Sequence, residues 1–380
     1  MPSSKLTRSQ VAALQSLPEG TSHPLPVANI KIAASQYTDP EVFEREKAAL
    51  FNKYPLIAGP SALLPEPNRF HRIDLLGTPV LLTRAADGIA RAFVNVCRHR
   101  GTILCPSHET GSAKKIVCPY HAWTYGLDGK LVGVPRAEAF EGLVQADYHL
   151  TELACLESGG LIWIGLQSGA KTDFSSVQGE IASELDGLGL RSAVIFDKAV
   201  YKVNANWKLV MDTMLDSYHV IRLHRETLAP FFVDTPTRID VIGPHIRSAS
   251  ARKNFTKDRV SEDFDLVRRV SVFSYAMFPA GIIVVSPRYI SVGILRPIAV
   301  DKTEIDYYMV VDHPPADETI AEKLRQSFAL MDRAFGKEDF WAAELGQEGL
   351  STGTLKEMTL GGMERQMSIF HDILADRMKD

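Results

Sequence analysis

Two short stretches of this 380-residue chain concentrate side chains that bind metals. Cys97-Arg98-His99 is followed further on by Cys118-Pro119-Tyr120-His121, so each stretch offers one thiolate and one imidazole. Four such donors brought together by two loops can hold a [2Fe-2S] cluster, with two thiolates on one iron and two imidazoles on the other. The neutral imidazoles raise the reduction potential above that of an all-thiolate cluster. The same four side chains can also hold zinc, although zinc sites more often pair like with like, as C-x2-C and H-x3-H. The remaining cysteines, Cys105 and Cys155, read as ordinary thiols.

A second constellation runs from Asn206 through Asp212, Asp216 and His219 to His224. Asn206 is a good N-cap, and the pattern predicts a helix over 207–220. On it, Asp212, Asp216 and His219 fall at i, i+4 and i+7, on one face. The other positions are largely apolar, so this stripe is expected to be enclosed. Burying two carboxylates and an imidazole costs on the order of several kcal/mol unless they are paired or bind metal. His219 and His224 would point about 140° apart on an ideal helix. Both reach one ion only if the helix ends or bulges between them, as helices often do at functional sites. Two histidines and one carboxylate on one side of an iron leave positions free for O2 and substrate.

The elements that must position these groups differ in texture. Over 55–166 short β-rich runs (79–83, 91–96, 114–118, 161–166) are separated by Gly, Pro, Asp and Ser, the mark of a small all-β domain. A polar connector follows at 168–176. Beyond it, strands are expected over 193–203, 238–242, 281–285, 289–296 and 304–312. Helices are expected over 9–17, 39–51, 317–335 and 362–377 as well. The organisation read from this is an N-terminal helical arm (1–45), an all-β domain (46–168) and an α+β domain (169–380). The last is expected to hold a large antiparallel sheet flanked by helices.

Apolar residues make up 45% and charged residues 23%, with a net charge of -4. This is ordinary for a soluble globular chain and suggests no nucleic-acid partner. No apolar stretch approaches a bilayer-spanning length, and no secretory leader is apparent, so a reducing cytoplasm and no membrane are expected. Four cysteines in such a length do not look like a disulfide framework.

The stretches NVCRHRGTIL and CPYHAWTYGLDGKL closely resemble the Rieske domain of the ring-hydroxylating oxygenase family. The resemblance implies cluster ligands Cys97, His99, Cys118 and His121. High-potential Rieske proteins of respiratory complexes read C-P-C-H in the second loop; Tyr120 stands at the middle position here, which favours the oxygenase branch. Tyr54-Pro55 replaces a tryptophan common near the family's domain start. The family also carries an acidic pair followed by Gln-x-Gly-Leu. Glu338-Asp339 and Gln347-Glu348-Gly349-Leu350 match it, which points to Asp339 as third ligand of a mononuclear Fe(II), with Glu338 and Glu344 as local competitors.

What the resemblance implies is a terminal oxygenase that uses O2 to dihydroxylate, monooxygenate or demethylate an organic substrate; the aromatic and aliphatic side chains expected in its pocket suit an apolar, aromatic one. No G-x-G-x-x-G follows a strand, and no C-x4-C-x2-C is present. Electrons are therefore expected from a separate NAD(P)H-dependent reductase, with a ferredoxin as an optional carrier. In the family a carboxylate links a cluster histidine to an iron histidine across a subunit interface. That maps to His121, Asp216 and His219 and implies a homotrimer, with or without a β subunit. Asp212 and Tyr218 are candidates near the iron, Trp207 reads as core, and Arg98, Arg100 and Trp123 as loop packing or docking. Phe273, Tyr275, Phe278 and Ile283 are expected in the substrate pocket, with residues around 231–234. The rival reading is a Rieske-type electron carrier without a catalytic iron.

Overall fold

The computed structural model describes residues 4–22, 30–169 and 171–379. In the β-rich half, Arg69–Leu75 buries alternate residues and pairs with Thr78–Arg84. The two-residue connection, Leu76-Gly77, has positive φ at both positions. That geometry matches the right-handed twist of the strands it joins. These two strands sit inside a five-stranded sheet with Ala90–Val94, Glu152–Leu153 and Gly111–Ser112. A second sheet holds Leu56–Pro60, Leu161–Ile164 and Cys155–Ser158. A third, small one holds Lys115–Val117, Thr124–Gly126 and Leu131–Gly133.

The other half is organised by one antiparallel seven-stranded sheet. Its order is Val194–Val203, Lys302–Val311, Ile290–Ala299, Gly281–Val285, Ser271–Met277, His245–Ala251 and Arg238–Ile242. The last six of these, read from Arg238 to Val311 through the sheet, form a meander whose connections are short except for 252–270, which carries the helical turn Phe264–Val267. One face of the sheet, including Phe273, Tyr275, Ile283 and Tyr308, packs on the β domain through Ile57, Leu82, Leu161 and Trp163. The opposite face and its rim carry the helices Trp207–Leu215, Phe340–Ser351 and Arg365–Arg377, whose Trp207, Met211, Phe340 and Phe370 share a core with Ile246, Ala276 and Leu295.

The expected helix at 39–51 forms as Pro40–Glu46, capped by Asp39, and continues in a wider π-helical turn over Lys47–Phe51. Strand Ile30–Ala33 pairs with Glu357–Leu360, joining the two ends of the chain. The sequence reading did not anticipate strands His245–Ala251 and Ser271–Met277. Their serines and alanines lack the β-branched signature of a strand, and they lie between two layers rather than facing water. Among the described residues no helix is long and apolar enough to cross a membrane.

Candidate metal centres

The first centre is built from two tight loops. The Cys97 N–H donates to the Thr102 carbonyl, and the Gly101 N–H returns to the Cys97 carbonyl. In the second loop the Cys118 N–H donates to Trp123 and the Ala122 N–H to Cys118, with Ala122 in the left-handed region. These closures bring the four predicted donors together. Cys97 and Cys118 are buried, and the His99 and His121 rings meet edge-on with centroids 4.7 Å apart. His99 also stacks on buried Trp123 at 4.7 Å and 8°.

Burial pushes the Cys97 thiol up, neighbouring Cys118 adds to this, and the Tyr125 hydroxyl opposes it. The Tyr125 oxygen accepts from the Arg98 N–H at 3.0 Å, which leaves its proton for Cys97 Sγ at 3.4 Å. Nothing in the sequence distinguished Tyr125. His99 Nδ1 is buried without a hydrogen-bond partner among the described residues. Such an orphan costs about 1–3 kcal/mol unless something binds it. Two buried thiols beside an unpartnered imidazole nitrogen fit a cluster with mixed thiolate and imidazole ligands. Arg98 and Arg100 are exposed, Arg100 lying over the Tyr120 ring.

The second centre departs from the single helix expected. Trp207–Leu215 starts at Asn206, whose side chain accepts from the Lys208 N–H. It stops at Leu215 because Asp216 is extended (φ -103, ψ 122). The chain then makes one short helix, Val220–Leu223, with His219 just before it and His224 just after. Asp212 therefore shares no helical face with Asp216 and His219. It is buried, accepting from Tyr37 Oη at 2.7 Å and lying 3.1 Å from His371 Nε2. Tyr218 is exposed beneath Arg222. Trp207 is core, as expected, donating to Glu46, which also pairs with buried Lys208.

Flanking a short helix lets both histidines face one point: their Nε2 atoms are 3.2 Å apart. Asp339 Oδ1 lies 3.3 Å from His219 Nε2 and 3.2 Å from His224 Nε2. Asp339 closes the π-helical stretch Asp332–Asp339, between the helices Glu318–Met331 and Phe340–Ser351. Its Oδ1 is buried and has no well-angled hydrogen-bond partner among the described residues. The three ligand atoms lie within 4.8 Å of one another and converge on common space, as donors around a cation do.

Each histidine is held from behind by a carboxylate. His219 Nδ1 is 3.3 Å from Asp216, whose other oxygen accepts the Tyr218 N–H. His224 Nδ1 is 2.6 Å from Glu338 Oε2, which also accepts from the Thr227 hydroxyl. This fixes the tautomer that leaves Nε2 free for metal. Glu338, read from sequence as a competitor for the ligand position, stands one hydrogen bond behind it. Glu344 instead accepts from Asn204. Burial disfavours the His219 cation, but Asp216 and Asp339 outweigh it and push the group up to about 9. Burial likewise opposes a raised His224, lifted by Asp339 and Glu338. The field that favours these imidazolium ions equally favours a divalent cation. Within one chain Asp216 meets His219 and the Tyr218 N–H, whereas the His121 ring lies against His99 and Tyr120.

A cavity of about 780 Å³ borders His219, His224, Asp339 and Asp216. Its sheet wall is Ser248, Ser250, Val272, Ser274 and Val284, with Phe231, Phe232 and Phe335 among the others. The segment around 231–234 thus reaches the cavity as expected. Phe273, Tyr275 and Ile283 do not: strand side chains alternate, and these three point through the sheet to the β domain. Phe278 is also outside, packed in the core beneath the helices.

The family model for the ring hydroxylating alpha subunit (catalytic domain) matches residues 190–380, and the Rieske [2Fe-2S] domain model matches 55–154. The chain belongs to the ring-hydroxylating alpha-subunit family. Its two cofactors are a Rieske [2Fe-2S] cluster and a mononuclear iron, and the donor sets above fit both. The glycine betaine monooxygenase oxygenase subunit of Pseudomonas aeruginosa is 36% identical over 196 residues, covering 50% of this chain and 44% of that relative. In that match the chain spans about half the length of the relative. The chloroplastic choline monooxygenase of Spinacia oleracea is 26% identical over 362 residues, covering 91% and 78%. A solved quaternary ammonium Rieske monooxygenase superposes with a TM-score of 0.80 at 22% identity, over 92% of this chain and 96% of that one. At that identity the likeness establishes the fold.

Proposed function

We propose that this protein is the terminal component of a Rieske oxygenase that inserts oxygen from O2 into a small organic substrate. The observation that carries the reading is the three-donor site of His219, His224 and Asp339 opening on a cavity large enough for such a substrate. When bound, the cluster supplies single electrons and the mononuclear iron activates O2. Cys97, Cys118, His99 and His121 hold the cluster, and His219, His224 and Asp339 hold the iron. Asp216 and Glu338 orient the two histidines by their Nδ1 atoms. Asp216 also receives His121 of the partner subunit across the interface of a homotrimer, linking the two centres. The apolar walls, Leu228, Phe231, Phe335 and Val272, exclude water from the reacting end and accept an apolar substrate body. Hydroxylation and oxidative demethylation place the same demands on these residues.

Electrons come from a separate NAD(P)H-dependent reductase, directly or through a ferredoxin. The free cysteines at 97, 105, 118 and 155 suit a reducing cytoplasm. The test is turnover under 18O2 with purified chain, a surrogate reductase and NADH over a panel of small aromatic and quaternary ammonium compounds. The expected result is 18O-labelled product that requires the reductase. Cluster iron alone, with no third iron per chain and no labelled product, overturns the reading in favour of an electron carrier.

A further inference from the structure

The strands that wall the cavity also gather three arginines at one end of it. Ser248 and Ser250 lie on His245–Ala251, and the period of two continues to Arg252. Val284 and Ser286 line the cavity too, and Arg288 follows in the bend after Gly281–Val285. Ser248 pairs with Ser274, and Ser274 with Val284, so the cavity-facing residues of three adjacent strands stand in rungs. Because neighbouring strands are antiparallel, the exits of His245–Ala251 and Gly281–Val285 and the entry to Ser271–Met277 coincide. Arg252, Arg288 and Arg269 occupy those three points, and all three line the cavity.

This charge is not neutralised locally. Among the described residues lining the cavity the carboxylates are Asp216 and Asp339, both engaged with His219. None of the three arginines has an ion pair among the described residues. Arg252 is half-buried, with the Phe231 and Phe232 rings 5.2 and 5.4 Å from its guanidinium. Those rings fix the orientation of the fork. Burial disfavours its charged form. A desolvated, oriented guanidinium without an acid is a receptor for a carboxylate, which it binds through two parallel hydrogen bonds.

We propose that Arg252, supported by Arg288 and Arg269, selects substrates that carry a carboxylate. This rests on the oxygenase reading for what happens to the bound molecule, and on the cavity alone for what is bound. A substrate with only a quaternary ammonium charge would face three like charges.

The test compares acids with their neutral isosteres by isothermal titration calorimetry on the iron-loaded protein. The probes are benzoate, phenylacetate and 3-phenylpropanoate, their primary amides, and choline. At least one acid is expected to bind about tenfold or more tightly than its amide, the usual scale of a charge-assisted hydrogen bond. Arg252→Gln removes that preference while amide binding stays. Arg252→Lys keeps part of it, and exposed Arg288→Gln, which spares the fold, reduces it. Acids binding no better than amides, choline binding as tightly as the best acid, or a preference unchanged in both Arg252→Lys and Arg288→Gln overturns the proposal. Acid-selective binding without 18O incorporation into any bound acid sinks the oxygenase reading and leaves this one standing.

Discussion

In the β domain the donors come from two neighbouring loops, each closed by its own backbone hydrogen bonds, and both histidine rings remain partly open to solvent. In the α+β domain two histidines flank one turn of helix, while the third donor arrives from a distant π-helical stretch and is buried. The first arrangement suits electron entry, which needs an accessible edge. The second suits O2 chemistry, which needs enclosure and an open coordination side. The lesson is that one centre is organised mainly by local turns and the other by tertiary packing, so they should fail separately.

The sharpest test of that separation is loss of either centre alone. Cys118→Ser is expected to abolish the cluster chromophore and turnover while mononuclear iron still binds; optical spectra with iron and sulfide analysis measure this. Asp339→Ala is expected to do the reverse, stopping turnover with the cluster spectrum intact. Loss of both centres in either variant would show that they are coupled through folding. Next in size, Glu338→Gln should weaken iron binding by about 10–100-fold, the usual effect of removing a histidine's outer partner. Competition with a chelator reads this, and the cluster potential should not move.

A smaller effect is expected where the two regions meet. His245 lies beside Trp163, donates from Nε2 to the Ser176 carbonyl and accepts the Phe278 N–H at Nδ1. It is therefore neutral, and burial holds it down at about 4. Its folded value is below the ordinary one near 6.5, so its contribution is complete above that pH and is lost as pH falls towards 4. Between pH 7 and pH 5 this amounts to about 2 kcal/mol. Urea unfolding at the two pH values should show the loss, and His245→Gln should flatten it. The smallest change concerns Tyr125. Its hydroxyl donates to Cys97 Sγ and so favours the reduced, more negative cluster. Tyr125→Phe should lower the potential, by about 60 mV for a tenfold change in the one-electron equilibrium. Protein-film voltammetry measures it, and a rise in potential would contradict the assigned direction of the bond.

Much of the frame was legible beforehand. Strands at Arg238–Ile242 and Gly281–Val285 and helices at Arg8–Gln15 and Arg365–Arg377 fall at or close to their expected places, because local alternation and helical periodicity report local burial. The serine-bearing strands His245–Ala251 and Ser271–Met277 escaped notice because their small side chains are set by a cavity wall rather than by a core. The helix predicted over 207–220 broke at Asp216, whose extended backbone is held by its own side chain accepting the Tyr218 N–H.

The sequence by itself determined which side chains could bind metal and, through two compact loop motifs, set one thiol beside one imidazole in each loop. It could not set which acid meets His219 and His224, since Asp339 and Glu338 are adjacent and chemically alike. Nor could it say which face of Ser271–Met277 looks into the cavity. Those outcomes depend on how a π-helical stretch and a two-faced sheet are rotated against their neighbours. Rotation is fixed by packing between segments far apart in the chain, and no local pattern of residues encodes it.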